Sequence, residues 1–174
     1  MTTFDTVFPI LLKQEGGYVN NRLDPGGMTN LGVTKRRWEE WTHRAASETD
    51  MRALTPAVVA PFYRVQYWQG ISGDSLHPAL ALCVFDFAVN SGPSRAARYL
   101  QRLVGTGQDG HIGPATLAAL DQWLTTNSIA KAVKNYQTER RIFYRQLDGF
   151  PVFGKGWLRR CDEVETENIA GGRC

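Results

Sequence analysis

A chain of 174 residues with 43% hydrophobic and 11% aromatic content can bury a core in one compact domain or two small lobes, which excludes a disordered or fibrous chain. Its formal charge of +3 is uneven: residues 94–160 hold eleven Lys/Arg against four Asp/Glu, and Asp162, Glu163, Glu165 and Glu167 make the tail acidic. A basic surface favours a polyanionic partner, whether nucleic acid, anionic lipid or wall polymer, and charge alone does not choose among them.

In chain order, Phe4, Phe8, Leu11, Leu12 and Glu15 fall at helical spacing, with Thr6 as the expected N-cap and Pro9 in the permissive first turn. The apolar run Val7–Leu12 is too short for a signal-peptide core or a membrane span. A chain made in the cytoplasm, with no stable membrane insertion, is therefore expected. Gly16 and Gly17 stop the helix, and residues 16–34, with five glycines and a proline, read as a long loop or small hairpin. Helical patterns follow at about 35–45, 56–69, 78–91, 93–104, 114–125, 127–147 and 155–169. Pro56, Pro78, Pro93 and Pro114 sit at or near helix starts, where a missing N–H is harmless. The turn-rich NSGPS at 90–94 marks the expected boundary between a lobe over 1–92 and a second over 93–174.

Glu15 is the first candidate for chemistry. It projects from the core-facing stripe in the last helical turn, a sheltered position that suits a general acid. The two glycines beside it let a polymer backbone come close. Tyr18, Asn20 and Asn21 offer a stacking face and amides suited to sugar rings carrying hydroxyl and N-acetyl groups. Glycoside hydrolysis usually needs a second carboxylate, and Asp24 in DPGG is the candidate, with Thr29 following in the same loop. Asn30 and Asn90 complete the substrate-binding candidates.

EGGYVN followed by DPGGMTNLGVT resembles the signature of the glycoside hydrolase 108 family of N-acetylmuramidases, endolysin-type lysozymes of phages. Its Glu15, Asp24 and Thr29 are also similar to the Glu/Asp/Thr set of phage lysozymes, with one residue fewer before the threonine. VFDFAVNSGPSRAARYLQRLVG resembles the family's segment between its catalytic and C-terminal portions. DGHIGPATLAAL resembles its peptidoglycan-binding region, and GWLRRC its closing helix. The resemblance implies a mainly α, lysozyme-like fold with a small loop or β-hairpin region after the first helix and two closely packed helical lobes. It implies Glu15 as catalytic acid, peptidoglycan glycan strands as substrate and holin-type release to the wall. No P-loop, dinucleotide fingerprint or Gly-x-Ser-x-Gly elbow is present, so no cofactor is expected, and the chain is expected to be a monomer with no nucleic-acid partner. Two alternatives remain: a lytic transglycosylase releasing 1,6-anhydro products, which needs no second carboxylate, and a non-catalytic wall- or nucleic-acid-binding module relying on the basic half.

Other residues carry weaker signals. Asp86, flanked by Val84, Phe85, Phe87 and Ala88, reads as a buried capping residue. Trp38, Trp41, Tyr63, Tyr67 and Trp68, at helical spacing, read as core. Lys131, Lys134, Arg140, Arg141, Arg145, Lys155, Arg159 and Arg160 read as a solvated face or as an attraction to the anionic wall. Cys83 reads as a buried hydrophobe, and a Cys161–Cys174 pair stays open. His43, His77 and His111 lack ligand spacing, so no metal is expected.

Overall fold

The computed structural model describes residues 3–20 and 27–170. Among these residues nine α-helices and one three-stranded antiparallel sheet form a mainly helical, lysozyme-like fold, with the sheet directly after the first helix. The order is α1 (Thr3–Gln14), β1 (Val19–Asn20), β2 (Met28–Asn30), β3 (Val33–Thr34), α2 (Lys35–Thr42), α3 (Glu48–Arg52) and α4 (Pro56–Tyr63). A π-helical segment (Arg64–Trp68) and two 3-10 turns (Gln69–Ile71 and Gly73–Ser75) lead to α5 (Pro78–Ser91), α6 (Pro93–Val104), α7 (Pro114–Leu124), α8 (Ile129–Arg145) and α9 (Phe150–Ala170). No helix among the described residues is long and apolar enough to cross a membrane.

The chain divides into two compact units, Phe8–Val65 and Met1–Val7 with Gln66–Cys174. In the larger unit α5 is the centre, buried without interruption from Ala79 to Ala88. A helix apolar on every side has to be covered on every side, and α6, α8 and α9 pack around it. Phe87 meets Tyr99 edge-on at 5.2 Å and Tyr136 at 6.2 Å, while Trp68 meets Phe85 at 5.2 Å and Phe4 at 5.5 Å.

One charge sits inside this core. Asp86 is fully buried and paired with Arg140 of α8 at 2.6 Å and Arg160 of α9 at 2.8 Å. Burial pushes its carboxyl group up, but the two guanidinium groups outweigh that effect and hold it below the usual carboxylate range. The structural reading of Asp86 thus holds, although it locks three helices by ion pairs and caps none of them. The reading of residues 131–160 as one solvated or wall-facing basic face is corrected at the same point. Arg140 is wholly inside, Arg160 turns in toward Asp86, and Arg141 is bound by Asp162 and Glu165, each at 2.7 Å. A buried carboxylate needs compensating charge, and no other part of the chain supplies so many cations close together in sequence.

Local signals explain most helix starts. Thr34, Thr55 and Ser128 accept from the backbone N–H of Arg37, Val58 and Lys131, and proline opens α4, α5, α6 and α7. Buried Gln101 pins the DGHIGP turn, donating to Asp109 at 2.6 Å and accepting from Gly110 N–H at 2.9 Å. Several expectations are corrected. Helix α1 starts at Thr3, so Thr6 is no cap and Pro9 lies inside the helix, beyond its first turn. The expected helix 56–69 ends as α-helix at Tyr63, two residues after Pro61, and continues as π and 3-10 segments. Helix α3 is additional, set by a reciprocal Ser47–Asp50 capping box, and α9 begins at Phe150, earlier than expected. Cys83 is buried as expected, and Cys161 is a buried free thiol. Cys174 lies outside the described residues.

Candidate active site

The Phe8–Val65 unit carries the site. Glu15 directly follows α1, and its N–H donates to Leu12 O at 3.1 Å. The stripe that leads to it is buried at Phe4, Val7, Phe8 and Leu11, whereas Lys13 is exposed. Glu15 itself is half-buried, so its carboxyl group is neither lost in the core nor free in solvent.

What holds it is the turn between β2 and β3. Strand β2 is central, pairing Val19 with Thr29 and Asn20 with Met28 on one side, and Thr29 with Thr34 and Asn30 with Val33 on the other. The Asn30–Val33 pair leaves a two-residue turn, Leu31-Gly32, with φ of 49° and 74°, the positive values that a type I′ hairpin requires at both central positions. Gly32 meets a second demand. A Cβ placed there would lie 2.5 Å from Glu15 Oε2 and 2.5 Å from the Tyr63 hydroxyl oxygen. The carboxyl group and the phenol thus occupy the space that any other residue would fill.

Tyr63 fixes that turn from the other side. Its hydroxyl donates to Leu31 O at 2.8 Å, and its ring, 1% exposed, packs on Phe8 at 5.3 Å and Phe62 at 5.5 Å. The result is a half-buried carboxyl group set against the hairpin tip, beside an exposed glycine. The missing side chain at Gly32 is what leaves room for the Glu15 carboxyl group and the Tyr63 hydroxyl at this turn.

The remaining candidates are placed as follows. Thr29 is half-buried in β2. Asn30, buried, donates from Nδ2 to Met51 O at 2.8 Å and ties the sheet to α3. Tyr18 is half-buried with the Arg52 guanidinium 3.9 Å above one ring face, and Arg52 also binds Glu48 at 2.8 Å. Burial and the Glu48 carboxylate raise the Tyr18 hydroxyl above its ordinary value. Asn20 is exposed in β1. Asn21 and Asp24 lie outside the described residues. Asn90 belongs to the other unit, where its Nδ2 donates to Asp86 O at 2.8 Å. Trp38 and Trp41 are half-buried and pack edge-on to Phe62 at 6.4 and 5.9 Å, whereas Tyr67 and Trp68 are core.

Sequence reading passed over Gly32 and saw Tyr63 only as a core aromatic. A signal for the first is present: NLGV puts a two-residue turn between strand-forming pairs, and a non-glycine, glycine turn of this kind is the hairpin signature. Nothing in the sequence announces the hydroxyl of Tyr63, because its partner is 32 residues away.

The glycosyl hydrolase 108 family pattern matches residues 8–92, which include Glu15, the sheet and Tyr63. A solved structure described as "Structure of Brucella abortus SagA" is 36% identical, with a TM-score of 0.83, over 97% of this chain and 94% of that one. The chain belongs to the glycosyl hydrolase 108 family. A second pattern, described as a predicted peptidoglycan domain, matches residues 95–162. Together they make this family member a glycoside hydrolase that acts on peptidoglycan. No curated protein matches the chain. The two matched stretches meet at the α5–α6 junction, and α5 is packed by helices from the second stretch.

Proposed function

We propose that this glycoside hydrolase is an N-acetylmuramidase cleaving the β-1,4 bond between N-acetylmuramic acid and N-acetylglucosamine, with Glu15 as the general acid. The observation that carries the reading is the seating of the Glu15 carboxyl group over Gly32, beside the Tyr63 hydroxyl. A proton donor held in a fixed direction acts on the departing oxygen without first being ordered, which is where general acid catalysis gains its rate.

In the proposed reaction Glu15 gives its proton to the glycosidic oxygen as the bond to the anomeric carbon breaks. Positive charge then builds on the sugar ring, and the carboxylate left on Glu15 helps to balance it. A water adds to the anomeric carbon and loses its proton to a second carboxylate, for which Asp24 is our candidate. Thr29 lies in the adjoining strand as a partner for that water. Tyr18, Asn30 and Asn90 remain candidates for sugar contacts, with one face of Tyr18 already covered by Arg52 and the Asn30 amide engaged with Met51 O. Residues 1–92 are assigned to catalysis and 93–174 to wall binding. On this reading the enzyme works as a phage-type endolysin, reaching the wall from the cytoplasm after holin-type release.

Product masses from purified peptidoglycan test the chemistry. Hydrolysis adds water and leaves reducing muramic ends, whereas a lytic transglycosylase leaves 1,6-anhydro ends. Fragments that all carry anhydro ends overturn the proposal.

A further inference from the structure

A concavity in the Phe8–Val65 unit has no part in the chemistry above. It has about 440 Å³ of free space and is lined by Trp38 and Thr42 of α2, by Arg44, Ala45 and Ala46 of the loop that follows, and by Asp50 of α3.

The charges in this hollow stand apart from their neighbours. Lys35 binds Glu39 at 3.6 Å, Arg36 binds Glu40 at 3.0 Å and Arg52 binds Glu48 at 2.8 Å, whereas the Arg44 guanidinium has no partner among the described residues. Its loop is nevertheless fixed. His43 closes α2 in the left-handed conformation, and Ala46, buried, donates its N–H to Glu39 at 2.8 Å. Asp50 Oδ2 accepts from Ser47 N–H at 2.7 Å and from the Ser47 hydroxyl at 2.6 Å, while Oδ1 has no bond among the described residues. Those serine bonds hold the Asp50 carboxyl group below its ordinary range, so it is an anion at neutral pH. Trp38, steadied edge-on by Phe62, supplies a flat apolar wall.

An unpaired cation carried on a fixed loop, an anion with an open oxygen and an indole in one hollow match a ligand carrying a carboxylate and an ammonium group on a short aliphatic segment. A bare glycan has no ammonium group to offer Asp50, and a polyphosphate chain is repelled by it. The short peptides hung on peptidoglycan have both charges. We propose that this hollow is a subsite for the stem peptide of peptidoglycan, with Arg44 binding a peptide carboxylate, Asp50 an amino group, and Trp38 covering the aliphatic part between them. The inference rests on the proposed wall substrate and extends it from the glycan to its peptide branch.

Two measurements with full-length protein decide it. The first compares wild type, Arg44→Ala and Arg44→Lys on intact peptidoglycan and on glycan chains stripped of peptides by an amidase. We expect Arg44→Ala to raise KM about tenfold on the peptide-bearing polymer, the effect of one charge-assisted hydrogen bond. Its kcat and its activity on stripped chains should stay as in wild type, and Arg44→Lys should recover most of the loss. An equal loss on both substrates, or no loss on either, overturns the subsite. The second is a calorimetric titration with a synthetic stem tetrapeptide containing a diamino acid. Wild type should bind it, and Arg44→Ala and Asp50→Asn should each bind it about tenfold more weakly. Wild type that takes up no heat, or variants that bind equally well, contradict the proposal. This titration needs no cleavage, so it separates failure of the subsite from failure of the muramidase reading.

Discussion

The two units of the molecule are each ordered internally by different means. Around α5, ten consecutive buried residues and a carboxylate gripped by two arginines make a core in which almost nothing is left to solvent. The Phe8–Val65 unit has three strands of two or three residues, a five-residue helix and a run of exposed i, i+4 ion pairs. Isolated pieces of that size are marginal, and exposed pairs add little. Its order comes from a smaller apolar cluster around Phe8, Met51, Phe62 and Tyr63 together with a few specific contacts: Tyr63 on Leu31, Asn30 on Met51, Glu15 against Gly32. The helical core therefore contributes most of the stability, and the smaller unit governs where the Glu15 carboxyl group stands. Substitutions in the two should separate stability from rate.

The largest effect on stability is expected at Asp86. Asp86→Ala strands two arginines in a buried place and should cost about 3–5 kcal/mol of unfolding free energy, while the rate per folded molecule stays near wild type. Chemical denaturation paired with turnover at low temperature checks both halves. A variant as stable as wild type removes the ion-paired core from the account. The same group sets an acid limit. Its folded pKa is depressed, so the stability it contributes is present above the unfolded value of about 4 and is lost as pH falls through the folded value. Midpoints measured from pH 6 to pH 2 should fall more steeply in wild type than in Asp86→Asn.

In the smaller unit the order reverses, rate before stability. Gly32→Ala puts a methyl group where the Glu15 carboxyl group and the Tyr63 hydroxyl now lie, and forces alanine to a φ of 74°. A displacement of about 1 Å is enough to lower kcat roughly a hundredfold, with about 1–3 kcal/mol of strain. Tyr63→Phe is milder. It frees Leu31 O, should cost about 1 kcal/mol, and should lower kcat several-fold while leaving KM unchanged. Equal loss in KM and kcat for Tyr63→Phe, or wild-type kcat for Gly32→Ala, blurs the division between the two units.

How much of this was legible in the sequence follows the same line. Helices α5 to α8 read to within a few residues, because a proline or serine opens each and their apolar content or spacing is strong. Glu15 at the end of a core-facing stripe was legible for the same reason, and so was a small hairpin after it. The partners of Asp86 were not, since they are 54 and 74 residues away and look like surface cations in a charge count. The π and 3-10 run from Arg64 to Ser75 was missed because its apolar spacing resembles an α-helix. Helix α3 was missed although Ser47 and Asp50 announce it, since five residues carry no periodicity. The meeting of Glu15, Gly32 and Tyr63 is tertiary, and only the turn itself has a local signal.

The most direct test replaces the proposed acid by its amide. Glu15→Gln keeps the size of the side chain and removes the proton donor, and its rate of peptidoglycan hydrolysis should fall about 10²–10⁴-fold while its unfolding midpoint stays at the wild-type value. A folded Glu15→Gln protein that releases reducing ends at the wild-type rate contradicts the account.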